Sequence, residues 1–133
     1  MTLLSDVLKQ NGFEKLSIAI PTYNEESNIH QMIEECIEFL GDQPNFLELV
    51  IVNDRSSDKS LEVAKQLSAK YESVKLIDNP ENIGCHPSQL VGWNSSDADV
   101  LYMLPSDRQI PPNSIPELII CLLYTSPSPR DTA

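Results

Sequence analysis

Short apolar runs alternate with segments of helical period along most of this chain, and this alternation constrains the fold more than any other feature. Four runs rich in Val, Ile and Leu occur at residues 16–20, 47–52, 74–77 and 100–104. Such runs are typical of strands in parallel sheets, because crossover helices bury both faces of those sheets. The sequence therefore predicts an α/β fold in which helices flank a parallel sheet.

Three of the intervening segments have the spacing of helices. In the first segment, apolar residues recur at three- and four-residue steps and end before a glycine, which commonly ends a helix. These residues are Ile29, Met32, Ile33, Cys36, Ile37 and Leu40, and the glycine is Gly41. The second stripe follows the N-cap candidates Ser56, Ser57 and Asp58, and consists of Leu61, Ala64, Leu67 and Tyr71. A third, shorter helix is predicted at residues 87–94, with Pro87 in its first turn and an inward face of Leu90, Val91 and Trp93.

Composition limits the classes of partner. The 133 residues suffice for one modest domain, and 41% hydrophobic with 22% charged residues is typical of a globular chain. A formal net charge of -11 repels nucleic-acid phosphates and anionic lipid headgroups, so nucleic-acid binding is not expected. An acidic protein that binds an anionic ligand would need a divalent cation between its carboxylates and that ligand.

The remaining global features predict a cytoplasmic protein. Cys36, Cys85 and Cys121 lack CxxC spacing, which argues against a disulfide framework or a zinc site. No run approaches the roughly 18 apolar residues of a membrane span, and residues 1–15 are expected to form a helical lead-in. The motifs GxGxxG and GxxxxGK[ST] are absent, which argues against a dehydrogenase or a P-loop enzyme.

Polar loops follow three of the predicted strands, at the edge where parallel sheets bind their ligands. The loops are residues 21–26, 53–58 and 105–112, and they contribute carboxylates, hydroxyls and one aromatic ring. Residues 83–87 follow the third strand. They either bring Cys85 or His86 near a ligand or form a surface loop, and the surface loop is favoured for His86.

These loops resemble the motifs of family 2 glycosyltransferases, whose N-terminal half has a GT-A fold. That half has one strand ending in Pro-x-Tyr-Asn-Glu, a second ending in Asp-Asp-Gly-Ser-x-Asp, and Asn-x-Gly after the third. The matching residues are Pro21, Tyr23, Asn24, Glu25, Asp54, Ser56, Asp58, Asn82 and Gly84, whereas Asn53 and Arg55 depart from the second motif. The resemblance covers roughly residues 15–120. It implies that residues 16–120 are the N-terminal part of a Rossmann-like GT-A domain that binds a nucleoside-diphosphate sugar.

The resemblance implies a donor site made of Pro21, Tyr23, Glu25, Asp54, Ser106 and Asp107. A base and ribose need a flat wall and carboxylate acceptors, which Tyr23 and Asp54 can supply. The alternative for the first loop is a turn in which Asn24 or Ser27 caps the next helix, and for Asp58 an N-cap role is favoured. Asp54 has no capping role in this interpretation, which makes it the best candidate for a nucleoside contact.

The loop after the fourth strand departs from the family's metal-binding Asp-x-Asp motif. Pro105 stands at the first Asp, Ser106 in the middle and Asp107 at the second, so Asp107 is the implied ligand for Mg²⁺ or Mn²⁺. The run Pro-Ser-Asp-x-Gln-x-Pro-Pro is similar to that of polyprenyl-phosphate sugar transferases. That similarity implies a lipid-linked acceptor and membrane association of a longer protein. The alternative for this loop is a turn.

The activity implied is transfer of a sugar, with inversion, to a polyprenyl phosphate or a glycan. The general base of such enzymes is expected beyond Ile120, so this chain should bind the donor without turnover. A non-catalytic nucleotide-binding or scaffold module is the alternative, favoured by Pro105. A phosphoacceptor signalling domain is disfavoured, because Pro80 follows the third strand and no late Lys strand is present.

Residues 121–133 differ in character from the rest of the chain. They are polar and Pro-rich, and residues 121–131 match an in-frame translation of the end of a transposase-type sequencing adapter. We therefore expect a non-native tail and a native protein that continued differently beyond Ile120.

Overall fold

The computed structural model describes residues 2–104 together with Ser114. Its elements are α1 (Thr2–Gln10), β1 (Leu16–Thr22), α2 (Ile29–Leu40), β2 (Leu47–Asn53), α3 (Ser60–Lys70), β3 (Val74–Asp78), α4 (Cys85–Asn94) and β4 (Val100–Met103). Ser106, Asp107 and the predicted tail lie outside the described residues. No helix within residues 2–104 is long and apolar enough to cross a bilayer.

The strands form one parallel sheet in the order β3-β2-β1-β4. The predicted α/β fold with four strands is confirmed, and each predicted strand differs from the observed one by two residues or fewer. Since β1 is central and β4 lies on its far side, the chain reverses direction across the sheet between β3 and β4. Ligands of open α/β sheets bind beside such a reversal, at the carboxyl ends of the strands.

The two faces of the sheet bury different side chains. Ile18 pairs with Leu49 and Ile20 with Ile51, so these four share a face, because side chains alternate along a strand. They belong to the main core together with residues of α2 and α3 such as Ile33, Leu40 and Leu67. The predicted helix ending at Gly41 is confirmed: this glycine has φ 84 and its N–H donates to the Ile37 carbonyl.

Helix α4 covers the opposite face through small residues. Ser88 and Gly92, four positions apart, are its buried residues, and Gly92 faces Ala19 and Val52 so closely that a Cβ on it would lie about 3 Å from both. The predicted inward face was wrong for Leu90, which is 55% exposed, while Val91 and Trp93 are partly buried. The reason is that α4 lies close to the sheet, which leaves room only for the small residues Ser88 and Gly92 on its inner side. Leu90 therefore faces outward.

We expect Gly92→Ala to destabilise the fold by about 1 kcal/mol. A Cβ at this position would lie 3.0 Å from the Ala19 Cβ and 3.1 Å from the Val52 Cγ2, and both atoms belong to buried strands. Overpacking costs about 1–3 kcal/mol and should exceed the roughly 1 kcal/mol gained in helix propensity. Urea unfolding measures the difference. The control Leu90→Ala should change stability by less than about 0.5 kcal/mol, and a Gly92→Ala variant as stable as the parent would show that α4 can move away from the sheet.

Candidate functional site

Three strands end side by side at the carboxyl edge of the sheet. Thr22 pairs with Asn53, and Asn53 pairs with Asp78, so the last residues of β1, β2 and β3 are in register. The loops that follow these strands therefore leave the sheet at the same level. Of the three polar loops predicted to converge, those at residues 21–26 and 53–58 meet at this edge, and residues 105–112 lie outside the described residues.

A cavity of about 80 Å³ lies at this edge. Its walls are Pro21, Thr22, Tyr23, Asp54 and Cys85. The structure thus brings together three of the predicted donor-site residues, Pro21, Tyr23 and Asp54. Tyr23 is 51% exposed and is the one aromatic residue among the described residues of the cavity wall. Cys85, which the sequence left between two interpretations, belongs to the cavity wall, whereas Ser106 and Asp107 fall outside the described residues.

Asp54 is buried, with only 4% of its surface exposed. Its Oδ1 accepts hydrogen bonds from the Ile83 N–H at 2.7 Å and the Asn79 Nδ2 at 3.1 Å, and its Oδ2 accepts from the Gly84 N–H at 2.9 Å. Burial alone would raise the pKa of this carboxyl, but the N–H donors hold the pKa below its usual value. The carboxylate is therefore ionised at neutral pH.

These contacts correct one premise of the sequence analysis. Asp54 was singled out because it had no capping role, yet its carboxylate binds the two N–H groups that precede α4. Asn79, which sequence reasoning missed, donates to both Asp54 and the Ser88 Oγ, and Asn82 donates to the Asp54 carbonyl. The signal that could have found Asn79 is a polar residue directly after a buried strand. Asp54 therefore anchors the loop between β3 and α4, and a nucleoside contact by its side chain stays a prediction.

Glu25 does not line the cavity. It is partly buried, its N–H donates to the Ser60 Oγ at 2.9 Å, and its Oε1 accepts from the Asn28 Nδ2 at 2.9 Å. Asp58 accepts from the Ser60 N–H at the start of α3, which supports the favoured capping interpretation, and also from the Glu26 N–H of the neighbouring loop. The predicted donor contact of Glu25 therefore has less support from the structure than that of Tyr23.

Two larger cavities lie away from the carboxyl edge. One of about 360 Å³ lies beside α2 and Tyr71, and one of about 340 Å³ lies at the opposite edge of the sheet near Lys15, Asp97 and Asp99. Neither receives the loops that follow the strands. The small cavity is the better candidate, because an aromatic ring and the ends of two central strands converge there.

The described residues do not form a metal site by themselves. Within residues 2–104, no group of three or more His, Cys, Asp or Glu side chains is arranged to hold a cation. Asp107, the implied ligand, lies beyond that range.

Comparison with known proteins identifies the family. Residues 17–120 match the family model of glycosyl transferase family 2. This chain belongs to that family. Its curated relatives include an undecaprenyl-phosphate 4-deoxy-4-formamido-L-arabinose transferase from Proteus mirabilis, 34% identical over 107 residues that cover 79% of this chain and 32% of the relative. A dolichol-phosphate mannosyltransferase from Pyrococcus furiosus is 36% identical over 108 residues, which cover 79% of this chain and 29% of the relative.

Solved structures confirm the GT-A fold. A mannosyltransferase from Pyrobaculum calidifontis, in complex with GDP-Man and Mn²⁺, superposes with a TM-score of 0.71 at 17% identity, covering 83% of this chain and 32% of that one. TarS from S. aureus in complex with UDP-GlcNAc gives 0.66 at 22% identity, covering 81% and 31%. The chain spans about one third of the length of the curated relatives it matches.

We expect Asp54→Asn to lower the free energy of unfolding at pH 7 by about 1–3 kcal/mol, because an amide turns one donor toward an N–H group. The folded pKa of Asp54 lies below the usual 3.8. Its stabilising contribution is therefore present above the unfolded pKa and is lost as pH falls through the folded value. The difference in stability between parent and variant should shrink below about pH 4.

Urea unfolding at pH 7 and at acidic pH measures this difference. The control Asp97→Asn removes the same charge from an exposed side chain and should change stability by less than about 0.5 kcal/mol at either pH. An Asp54→Asn deficit that stays constant from neutral to acidic pH would show that the ionised carboxylate does not make the difference.

Proposed function

We propose that the longer protein containing this chain is an enzyme that transfers a sugar from a nucleoside-diphosphate donor, and that this chain forms the nucleoside end of the donor site. The observation that carries the proposal is the Tyr23-lined cavity at the carboxyl edge, in a chain of glycosyl transferase family 2. A half-exposed aromatic ring beside a carboxylate suits a base, because stacking uses the ring face while polar groups select hydrogen bonds.

The acceptor proposed is a polyprenyl phosphate. The names of two relatives contain undecaprenyl phosphate and dolichol phosphate, and the Pro105-Ser106-Asp107 run resembles the same group of enzymes. We further propose in-line attack by the acceptor phosphate with inversion at the anomeric carbon. The general base would come from residues beyond Ile120. Such an acceptor would place the longer protein at the cytoplasmic face of a membrane.

The division of roles within the described residues follows from their contacts. Tyr23 would stack on the base, Pro21 would form the floor, and Asp54 would hold the loop at Ile83 and Gly84 that borders the site. The retained lone pairs of Asp54 could also accept from the nucleoside, as predicted from sequence. Glu25 and Ser106 remain proposed donor contacts of the surrounding loops.

A non-catalytic nucleotide-binding module is the second candidate, since Pro105 replaces one carboxylate of the Asp-x-Asp motif. Both candidates bind a nucleotide, so binding alone does not separate them. Turnover does: the longer protein, given a nucleoside-diphosphate sugar and a polyprenyl phosphate, should form the lipid-linked sugar. Tight nucleotide binding with no product would favour the module.

We expect Tyr23→Ala to weaken binding of UDP or GDP at least about fivefold, because removal of an aromatic stacking partner costs about 1–3 kcal/mol per base. Tyr23→Phe keeps the ring and should stay within about twofold of the parent. Calorimetry with the 133-residue chain in millimolar Mn²⁺ measures both affinities. Equal affinity in the Ala and Phe variants, with both folded, would remove Tyr23 from the site.

The metal is proposed to bind together with the nucleotide. A diphosphate approaches a cavity whose wall already includes Asp54, and the fold neighbour with GDP-Man also holds Mn²⁺. We propose that Asp107 would hold Mg²⁺ or Mn²⁺ together with the diphosphate, since Mg²⁺ commonly binds through one or two carboxylates and substrate phosphates. When bound, the ion would neutralise charge on the leaving diphosphate.

This arrangement makes the two ligands interdependent. Mn²⁺ alone should bind weakly, and nucleotide and Mn²⁺ should raise each other's affinity by the same factor. Titration of UDP and GDP in EDTA and in millimolar Mn²⁺ measures that factor, with Asp107→Ala as the variant that should abolish it. Identical nucleotide affinities in the two buffers would mean that the altered motif has lost its metal.

A further inference from the structure

The loops that follow β1 and β2 bind each other through side chains. We call this set of contacts the cross-loop clasp; its members are Asn24, Glu25, Glu26, Ser56, Ser57, Asp58 and Ser60. At its centre, the Asn24 Oδ1 accepts from the Ser57 N–H at 2.8 Å, from the Ser57 hydroxyl at 3.3 Å and from the Asp58 N–H at 3.3 Å. One side-chain oxygen therefore serves three donors of the neighbouring loop.

The clasp is reciprocal. In the opposite direction, the Asn24 N–H donates to the Ser56 Oγ at 3.0 Å, the Glu25 N–H to the Ser60 Oγ at 2.9 Å, and the Glu26 N–H to the Asp58 Oδ2 at 3.2 Å. Neither α2 nor α3 has a side-chain hydrogen bond from its own N-cap residue. Asn24 makes its side-chain contacts across the gap, whereas Asp58 binds both the Ser60 N–H of its own helix through Oδ1 and the Glu26 N–H across the gap through Oδ2.

The clasp fixes the backbone on one side of Tyr23. On the other side, Thr22 is the last residue of β1 and is held in register with Asn53 of β2. Tyr23 is half exposed, so few packing contacts restrain its side chain, and the backbone on either side of it is held by these two sets of contacts. Asn24 itself has φ 55, a conformation that Asn tolerates better than most residues.

We propose that Asn24 is a positioning residue for nucleoside binding, acting through the clasp to aim Tyr23 at the cavity. This inference rests on the proposed donor site. Asn suits the position for two reasons: it accepts the left-handed backbone, and its short side chain supplies the acceptor oxygen. On this inference the loop motif around Asp58 holds the loop motif around Tyr23 in place. Without those contacts, the Tyr23 ring would not be directed at the cavity.

Two substitutions separate the backbone from the acceptor. Asn24→Gly keeps the positive φ and deletes the oxygen, while Asn24→Asp keeps an oxygen at the same place. The matched control is Asp42→Ala, because Asp42 joins two loops at the opposite edge of the sheet by accepting from the Ser73 N–H at 2.9 Å and the Glu72 N–H at 3.4 Å. The control removes a comparable set of loop-to-loop hydrogen bonds far from Tyr23.

The experiment combines NMR and calorimetry on the 133-residue chain. In Asn24→Gly we expect shifted Tyr23 ring signals, faster amide exchange at Ser57 and Asp58, and UDP or GDP affinity reduced at least about fivefold in millimolar Mn²⁺. Asn24→Asp should restore the ring signals and the amide protection. Asp42→Ala should lower stability while leaving the Tyr23 signals and the nucleotide affinity unchanged.

The outcomes are distinguishable. Unchanged Tyr23 signals in Asn24→Gly, or a loss of affinity in Asp42→Ala equal to that in Asn24→Gly, would overturn the positioning role. A parent chain that binds neither UDP nor GDP would overturn the proposed donor site instead, and the NMR comparison of Asn24→Gly with Asn24→Asp would still decide whether the clasp orients Tyr23.

Discussion

The carboxylate of Asp54 is the contact on which the carboxyl edge of the sheet depends. It is a buried anion, and the lysine–carboxylate ion pairs among the described residues, Lys15 with Glu48 and Asp97 and Lys70 with Glu34, lie elsewhere. Burying such a charge without partners would be costly, but here two backbone N–H groups and the Asn79 amide offset the lost hydration. Those contacts fix where α4 begins. Helix α4 in turn lies on Ala19 and Val52. The Asp54 carboxylate therefore helps to position both the cavity wall and the helix that covers this face of the sheet.

Three other aspartates likewise accept hydrogen bonds from backbone N–H groups of neighbouring loops. Asp42 accepts from the Ser73 N–H, Asp58 from the Ser60 and Glu26 N–H groups, and Asp99 from the Glu14 and Lys15 N–H groups. For all of them the net effect is a pKa below the usual value. A chain with 20 acidic and 9 basic residues has too few cations to pair every carboxylate, and backbone N–H donors of neighbouring loops serve instead. Loop contacts at both edges of the sheet therefore depend on ionised aspartates.

The sequence was informative where local pattern decides structure and uninformative where distant groups meet. Apolar runs located all four strands, and the stripe ending at Gly41 located α2, because burial imposes those periods directly. Leu90 was misplaced, since the contact of α4 with the sheet is made by Ser88 and Gly92, a stripe without large apolar residues. The partners of Asp54 lie 25 to 30 residues along the chain, so its anchoring role had no local signal. Asn24 was considered as a cap for its own helix, yet its partners belong to the next loop.

The residues that line the cavity at the carboxyl edge carry little charge that could bind an anion. The residues of its wall offer a ring, a proline, a hydroxyl, a thiol and one carboxylate, and no cationic side chain is among them. Such a wall offers an aromatic ring and hydrogen-bonding groups but no positive charge. In the proposed donor site, the metal would supply the positive charge that faces the diphosphate. Because the chain covers about one third of its curated relatives, we propose that nucleoside recognition resides here and that phosphate and acceptor chemistry belong to the longer protein.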